Sequence, residues 1–231
     1  MFYKDWKPIY EKIAKDLNIT KDADKQAANI LNELLKNNKQ NSKKKLKDVL
    51  KGKEVVIFGA GPSLESSLNS NKDNLTHKIK ISADGATSAL TQNDILPDII
   101  VTDLDGKISD QINANSKGSI TVIHAHGDNI VKIKKFVPKF KGYIIGSTQI
   151  DPSPYENVDN FGGFTDGDRA IFLADNFKAK MIYLVGFDFE GKIGRYSFSE
   201  KKDRNLKFKK LKWCKYLIEL LKKDNPNIQE L

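Results

Sequence analysis

Apolar positions in the first fifty residues recur at helical spacing. Ile9, Ile13 and Leu17 stand at i, i+4 and i+8, and Ala27, Ile30, Leu31, Leu34 and Leu35 form a second stripe behind Thr20, a residue suited to an N-cap. A third short helix is expected around Leu46, Val49 and Leu50, closed by Gly52. From Glu54 the period changes. Short β-branched runs at 55–58, 79–82, 99–102, 120–124, 143–145 and 181–185 alternate with connections long enough for helices. That alternation predicts an α/β fold: a mainly parallel, Rossmann-like sheet of about six strands flanked by helices. On this basis residues 1–53 form an N-terminal helical appendage and residues 54–231 an α/β domain.

Two further stretches complete the outline. The connection 146–163, with Pro152, Pro154, Gly162 and Gly163, is too long for a simple turn, and long loops in compact domains carry function or motion. Residues 206–221 place Leu206, Leu211, Leu217, Leu220 and Leu221 with Trp213 and Tyr216 on a basic amphipathic helix expected to cover the sheet. No internal repeat is present. There is no run of eighteen apolar residues, and Met1-Phe2-Tyr3-Lys4-Asp5 lacks a signal peptide's apolar stretch, so a cytoplasmic protein with no membrane partner is expected. The single cysteine, Cys214, cannot form an internal disulfide and is assigned no role.

The net charge of +9 invites a nucleic-acid reading until it is divided along the chain. Residues 1–53 carry +7 and residues 192–223 carry +9, whereas residues 54–191 hold thirteen basic against eighteen acidic residues. The candidate chemistry lies in that acidic middle. The basic flanks suit solvated helix faces or the attraction of an anionic substrate, and no groove-reading or base-stacking module is present. No specific nucleic-acid partner is expected.

Acidic and glycine residues recur where the strand-like runs end: Ala83-Asp84-Gly85-Ala86, Thr102-Asp103-Leu104-Asp105-Gly106 and His126-Gly127-Asp128-Asn129. An open parallel sheet gathers such ends along one edge, where ligands bind, and carboxylates gathered there repel unless a divalent cation joins them. Asp84, Asp103 and Asp105 are therefore candidate ligands for magnesium carrying a polyphosphate, with Asp103 and Asp105 expected on the same side of an extended chain. Asp84 also stands where a dinucleotide-binding fold places its ribose acid. The turn Phe58-Gly59-Ala60-Gly61-Pro62-Ser63-Leu64 follows a strand and opens a helix with Ser63 at the N-cap, so Gly59, Gly61, Pro62 and Ser63 form either a phosphate-contacting turn or a structural one. His124 and His126 lack further zinc ligands and suit hydrogen bonding. Asp128 suits a helix cap or a ligand contact. In Gly162-Gly163-Phe164-Thr165-Asp166-Gly167-Asp168-Arg169, Arg169 either neutralises phosphate or pairs with Asp166. Gly186-Phe187-Asp188-Phe189 repeats the strand-then-acid pattern.

As a set, these motifs have a precedent. Asp84-Gly85, followed by the run from Pro97-Asp98 through Ile99 to Asp103-Leu104-Asp105-Gly106, resembles the catalytic domain of thiamine pyrophosphokinases. With the Gly59 turn, the His124-to-Asn129 strand end, the Gly162-to-Arg169 run and Gly186-Phe187-Asp188-Phe189, the pattern over about residues 54–191 resembles the archaeal 6-hydroxymethyl-7,8-dihydropterin pyrophosphokinases. The thiamine enzymes' β-rich substrate domain has no counterpart here. The resemblance implies ATP- and magnesium-dependent diphosphate transfer to a pterin alcohol with release of AMP, in tetrahydromethanopterin synthesis. It implies Asp84, Asp103 and Asp105 on metal and triphosphate, Asp128 as proton acceptor or ribose contact, and Gly85, Asp168 and Arg169 near phosphate or substrate. Tyr155, Asn160 and Phe161 are candidates for the pterin floor, and a homodimer stays open. A nucleotide-sugar-dependent glycosyltransferase-like protein, which shares parts of the Gly-Ala-Gly-Pro-Ser-Leu and Pro-Asp patterns, and a thiamine pyrophosphokinase are the alternatives.

Overall fold

The computed structural model describes residues 2–38, 42–70, 75–190, 192–197 and 204–231; the part of the expected helical stretch at 39–41 lies outside them. Three helices, α1 (Tyr3–Asp16), α2 (Lys21–Leu35) and α3 (Ser42–Leu50), precede β1 (Glu54–Phe58). The chain then alternates through α4 (Leu64–Ser70), β2 (Ile79–Ala83), α5 (Ala86–Gln92), β3 (Ile99–Thr102), α6 (Ile108–Ser116), β4 (Ile120–Ala125), α7 (Ile130–Phe136) and β5 (Ile144–Thr148). It continues through β6 (Val158–Asp159), α8 (Asp166–Asn176), β7 (Met181–Val185), α9 (Arg204–Asp224) and β8 (Ile228–Glu230).

All strand pairs are parallel, in the order β6-β5-β4-β3-β2-β1-β7-β8. The sheet has eight strands rather than about six. The two additional strands, β6 and β8, are edge pieces of two and three residues, too short to leave an apolar run in the sequence. β6 falls inside the stretch 146–163 that the pattern assigns to a loop, so that connection is partly sheet.

Helices cover both faces, which is why the central strands are apolar throughout instead of alternating with polar residues. Val55 and Ile57 enter one core with Trp6, Tyr10, Leu46, Phe172 and Leu217, drawn from α1, α3, α8 and α9. Val56 and Phe58 face the opposite core with Leu64, Leu68 and Leu90 from α4 and α5, while α2 and α7 cover β4 and β5 on that same side. The N-terminal helices thus share the sheet's own core. All five residues 170–174 of α8 are buried, since the helix lies across β1, β2 and β3 beneath α9.

The connectivity positions the site. From β1 the chain steps outward to β6, then α8 carries it back to β7 on the far side of β1, so the strand order reverses between β1 and β7. A crevice opens beyond the carboxyl ends of strands at such a reversal. The two loops flanking it touch: Gly186, at φ +73°, lies so close that a Cβ there would overlap the Gly59 carbonyl oxygen.

Candidate active site

A cleft of about 400 Å³ runs along this edge, lined by the loops that follow β1, β2, β3, β4 and β7, by the start of α8 and by the first turns of α9. At its floor Asp84 after β2, Asp103 after β3 and Asp166 at the first position of α8 each offer a carboxylate oxygen, and these oxygens lie within 4.8 Å of one another. Asp84 has a left-handed backbone (φ +41°) that tips its side chain into the group. Its Oδ1 accepts from Thr102 Oγ1 at 2.7 Å, Gly106 N at 3.0 Å and Gln111 Nε2 at 2.9 Å. Desolvation and then the Asp103 charge nevertheless raise its pKa above the usual carboxylate range. Asp166 is pushed well above that range by desolvation first and Asp103 second, with Asp84 adding to the repulsion and Arg169 opposing it. Asp103 is held by His126, whose Nε2 lies 3.4 Å from its Oδ2. His126 Nδ1 accepts from Asp128 N at 3.4 Å, which leaves Nε2 as the ring nitrogen that faces Asp103.

Asp105 departs from expectation. Leu104 has φ +67° and a buried side chain, so Asp103-Leu104-Asp105 is not an extended run. Asp105 lines the cleft but is ion-paired with Lys132, and Asp166 takes the third place in the carboxylate group.

The glycine turn is also differently occupied. Gly59 N donates to Val185 O at 2.8 Å and Gly61 N to Gly186 O at 2.9 Å, so neither amide faces a phosphate. Ser63 donates from N (3.0 Å) and Oγ (2.7 Å) to Asp188 Oδ2, and a Cβ on Gly61 would collide with that oxygen. The turn therefore already holds an anion, Asp188, and Pro62 beside it is exposed and has no N–H. Gly85 follows Asp84 as the N-cap of α5 and lines the cleft.

Of the remaining candidates, Asp168 is fully buried and turned from the cleft. Its carboxylate accepts from Phe164 N and Thr165 N, both at 2.7 Å, and from Thr165 Oγ1 in the capping box of α8. Arg169 is buried at the cleft wall with Nη1 3.1 Å from Asp166 Oδ1, the pairing alternative. Asp128 stands at the mouth with its side chain 91 % exposed, and the cap there is His126. Tyr155, Asn160 and Phe161 do not line the cleft: Asn160 Nδ2 donates to Ile150 O and Phe161 packs at a tilt against Phe177. The aromatic wall is instead Phe164, Phe187, Phe189 and Tyr196.

Two contributions come from residues outside the expected site. Lys192, Lys207 and Lys210 bring the basic C-terminal flank to an acidic floor, and the division of charge along the chain is the signal that points there. Asp24 and Gln149, hydrogen-bonded to each other and almost fully buried, also line the cleft. Asp24 had a signal: it stands at i with Ala27, Ala28, Leu31 and Leu35 at i+3, i+4, i+7 and i+11, a carboxylate on the buried stripe of α2.

The eight-stranded parallel sheet thus gathers a carboxylate trio at its carboxyl edge, and lysines line the same cleft. The chain belongs to the MptE-like 6-hydroxymethylpterin diphosphokinase family, whose model matches residues 28–194. It is 48 % identical over 235 residues to a 6-hydroxymethyl-7,8-dihydropterin pyrophosphokinase of Methanocaldococcus jannaschii, covering 96 % of each chain. A protein of the same description from Pyrococcus furiosus is 44 % identical over 96 % of this chain and 95 % of its own. One from Methanothermobacter thermautotrophicus is 42 % identical over 83 % and 81 %. A solved MAf glycosyltransferase from Magnetospirillum magneticum AMB-1 aligns with 72 % of this chain and 28 % of its own at 16 % identity and a TM-score of 0.32, too distant to compare sites.

Proposed function

We propose that this cleft transfers the terminal diphosphate of ATP to the hydroxymethyl oxygen of 6-hydroxymethyl-7,8-dihydropterin and releases AMP. The observation that carries the proposal is the Asp84–Asp103–Asp166 trio, in which the raised pKa values of Asp84 and Asp166 express desolvation and repulsion that a hard divalent cation relieves. An all-carboxylate donor set fits magnesium, which when bound there would neutralise phosphate charge and steady the leaving AMP. The alcohol oxygen bonds to the β-phosphorus, the bond from that phosphorus to the bridging oxygen of AMP breaks, and the alcohol proton passes to solvent water.

This chain's own part is placement and charge. His126 and Arg169 hold Asp103 and Asp166 in fixed directions, and Lys192, Lys207 and Lys210 face the nucleotide's phosphates from the opposite wall. Asp188, with Oδ2 taken by Ser63, would repel a phosphate at the glycine turn. Between Phe187 and Phe189 it suits the amino-pyrimidine edge of the pterin. The ribose falls toward Asp128 at the mouth.

Incubation with ATP, magnesium and the pterin alcohol, followed by chromatography, tests this. AMP is expected in a one-to-one ratio with the pterin diphosphate, with little product from thiamine. ADP as the stoichiometric product, or turnover of thiamine and not the pterin alcohol, would overturn it.

A further inference from the structure

Asp24 on α2 is 1 % exposed and lies in the N-terminal helices, against the residues that follow β4 and β5. Its carboxylate receives three donors. Tyr10 Oη and Gln149 Nε2 (2.8 Å) reach Oδ2, and Gly127 N reaches Oδ1 at 2.8 Å. Gln149 is itself buried, with a carboxylate on one side and a guanidinium on the other. One of those neighbours only accepts and the other only donates, so the amide has a single satisfactory orientation. Nε2 points to Asp24, and Oε1 accepts from Arg169 Nη2 at 3.3 Å. Arg169 then presents Nη1 to Asp166 at 3.1 Å.

The other oxygen of Asp24 leads to the second arm. Gly127 N, fixed on Oδ1, belongs to the turn whose His126 holds Asp103. That turn sits directly on α2, since a Cβ on Gly127 would come within 2.5 Å of Ala23 Cβ. Two of the three floor carboxylates are therefore oriented from one buried acid.

We infer that Asp24 is a positioning residue of the active site, setting Asp166 through Gln149 and Arg169 and Asp103 through the turn at residues 126–128. This rests on the trio being the metal seat of the proposed reaction. Asp24→Asn puts an amide hydrogen where an acceptor stood, so Gln149 must flip and turn Nε2 against Arg169. Gln149→Glu alone sets two carboxylates against each other. Combined, the two changes keep the net charge and restore the pairings of position 149, because the carboxylate introduced there accepts both from the amide introduced at position 24 and from Arg169, while the Tyr10 hydroxyl turns to accept from that amide.

The test is this four-member cycle, read by kcat and by Mn²⁺ affinity from electron paramagnetic resonance, with melting temperatures confirming that each variant is folded. Each single substitution is expected to lower kcat and metal affinity about 10–100-fold, the range for residues that orient ligands from behind. The double variant should return to within about threefold of wild type, as directly coupled neighbours do. If Asp24→Asn fails to fold, Gln149→Met, which leaves Asp24 in place and cuts the link to Arg169, carries the same expected losses. Single variants with wild-type kcat and metal affinity, or a double variant no better than the worse single, would overturn the inference. Mn²⁺ binding without turnover of the pterin alcohol would instead count against the functional proposal, and the affinity cycle would still decide the role of Asp24.

Discussion

At the scale of single residues, the floor of the cleft is a store of repulsion. Asp84 and Asp166 have folded-state pKa values raised above those of the unfolded chain, by desolvation first and by neighbouring acids next. Their contribution to stability is therefore fully present below the ordinary carboxylate range and is lost as pH rises through the raised values. Asp84→Asn is the cleanest probe, because its Oδ1 still accepts from Thr102, Gly106 and Gln111 while the charge is gone. Metal-free Asp84→Asn should melt about 2–4 °C above wild type near neutral pH. The difference should shrink as pH falls and close near the ordinary carboxylate value, while turnover drops by at least about a hundredfold. Calorimetry across pH and a rate assay check both halves. Asp84 and Asp103 were legible in the sequence because each ends an apolar strand. The third acid was not, because whether Asp105 or Asp166 faces Asp84 depends on the left-handed turn at Leu104, and nothing in a leucine announces it.

At the scale of elements, the strands that the sequence revealed are those buried on both faces, whose apolar runs have few alternatives. The edge strands β6 and β8 were invisible because backbone pairing with a neighbour, not side-chain pattern, makes them strands. The glycine turn was visible but its use was not. Its amides go to β7 and Asp188, contacts between segments more than a hundred residues apart. The terminal helix α9 was legible as amphipathic and basic, and the structure shows that its Lys207 and Lys210 reach the cleft while Leu217 and Leu221 enter the core. Replacing Lys207 and Lys210 together by alanine should raise KM for ATP about tenfold, the effect of losing roughly 1.4 kcal/mol of binding, with little change in melting temperature. The gap should narrow as salt is added, since the lost interaction is electrostatic. An unchanged KM at low ionic strength would place the triphosphate elsewhere.

At the scale of the whole molecule, the strand reversal at β1 and β7, the basic flanks and the acidic middle combine into one device. Helices from both ends of the chain reach the carboxyl edge of the sheet: α2 with Asp24 beneath it and α9 with lysines above it. The charge that looked like a nucleic-acid footprint is in part directed at an acidic cleft, and among the described residues no helix is long and apolar enough to cross a membrane. On our reading the sheet converges on a metal seat made by Asp84, Asp103 and Asp166, with Asp105 outside it. Mn²⁺ titration followed by electron paramagnetic resonance, on the wild type and on Asp166→Asn and Asp105→Asn, tests this most directly. Asp166→Asn should weaken Mn²⁺ binding by at least about tenfold and Asp105→Asn by less than about threefold. The reverse order, or equal binding by all three proteins, would contradict the account.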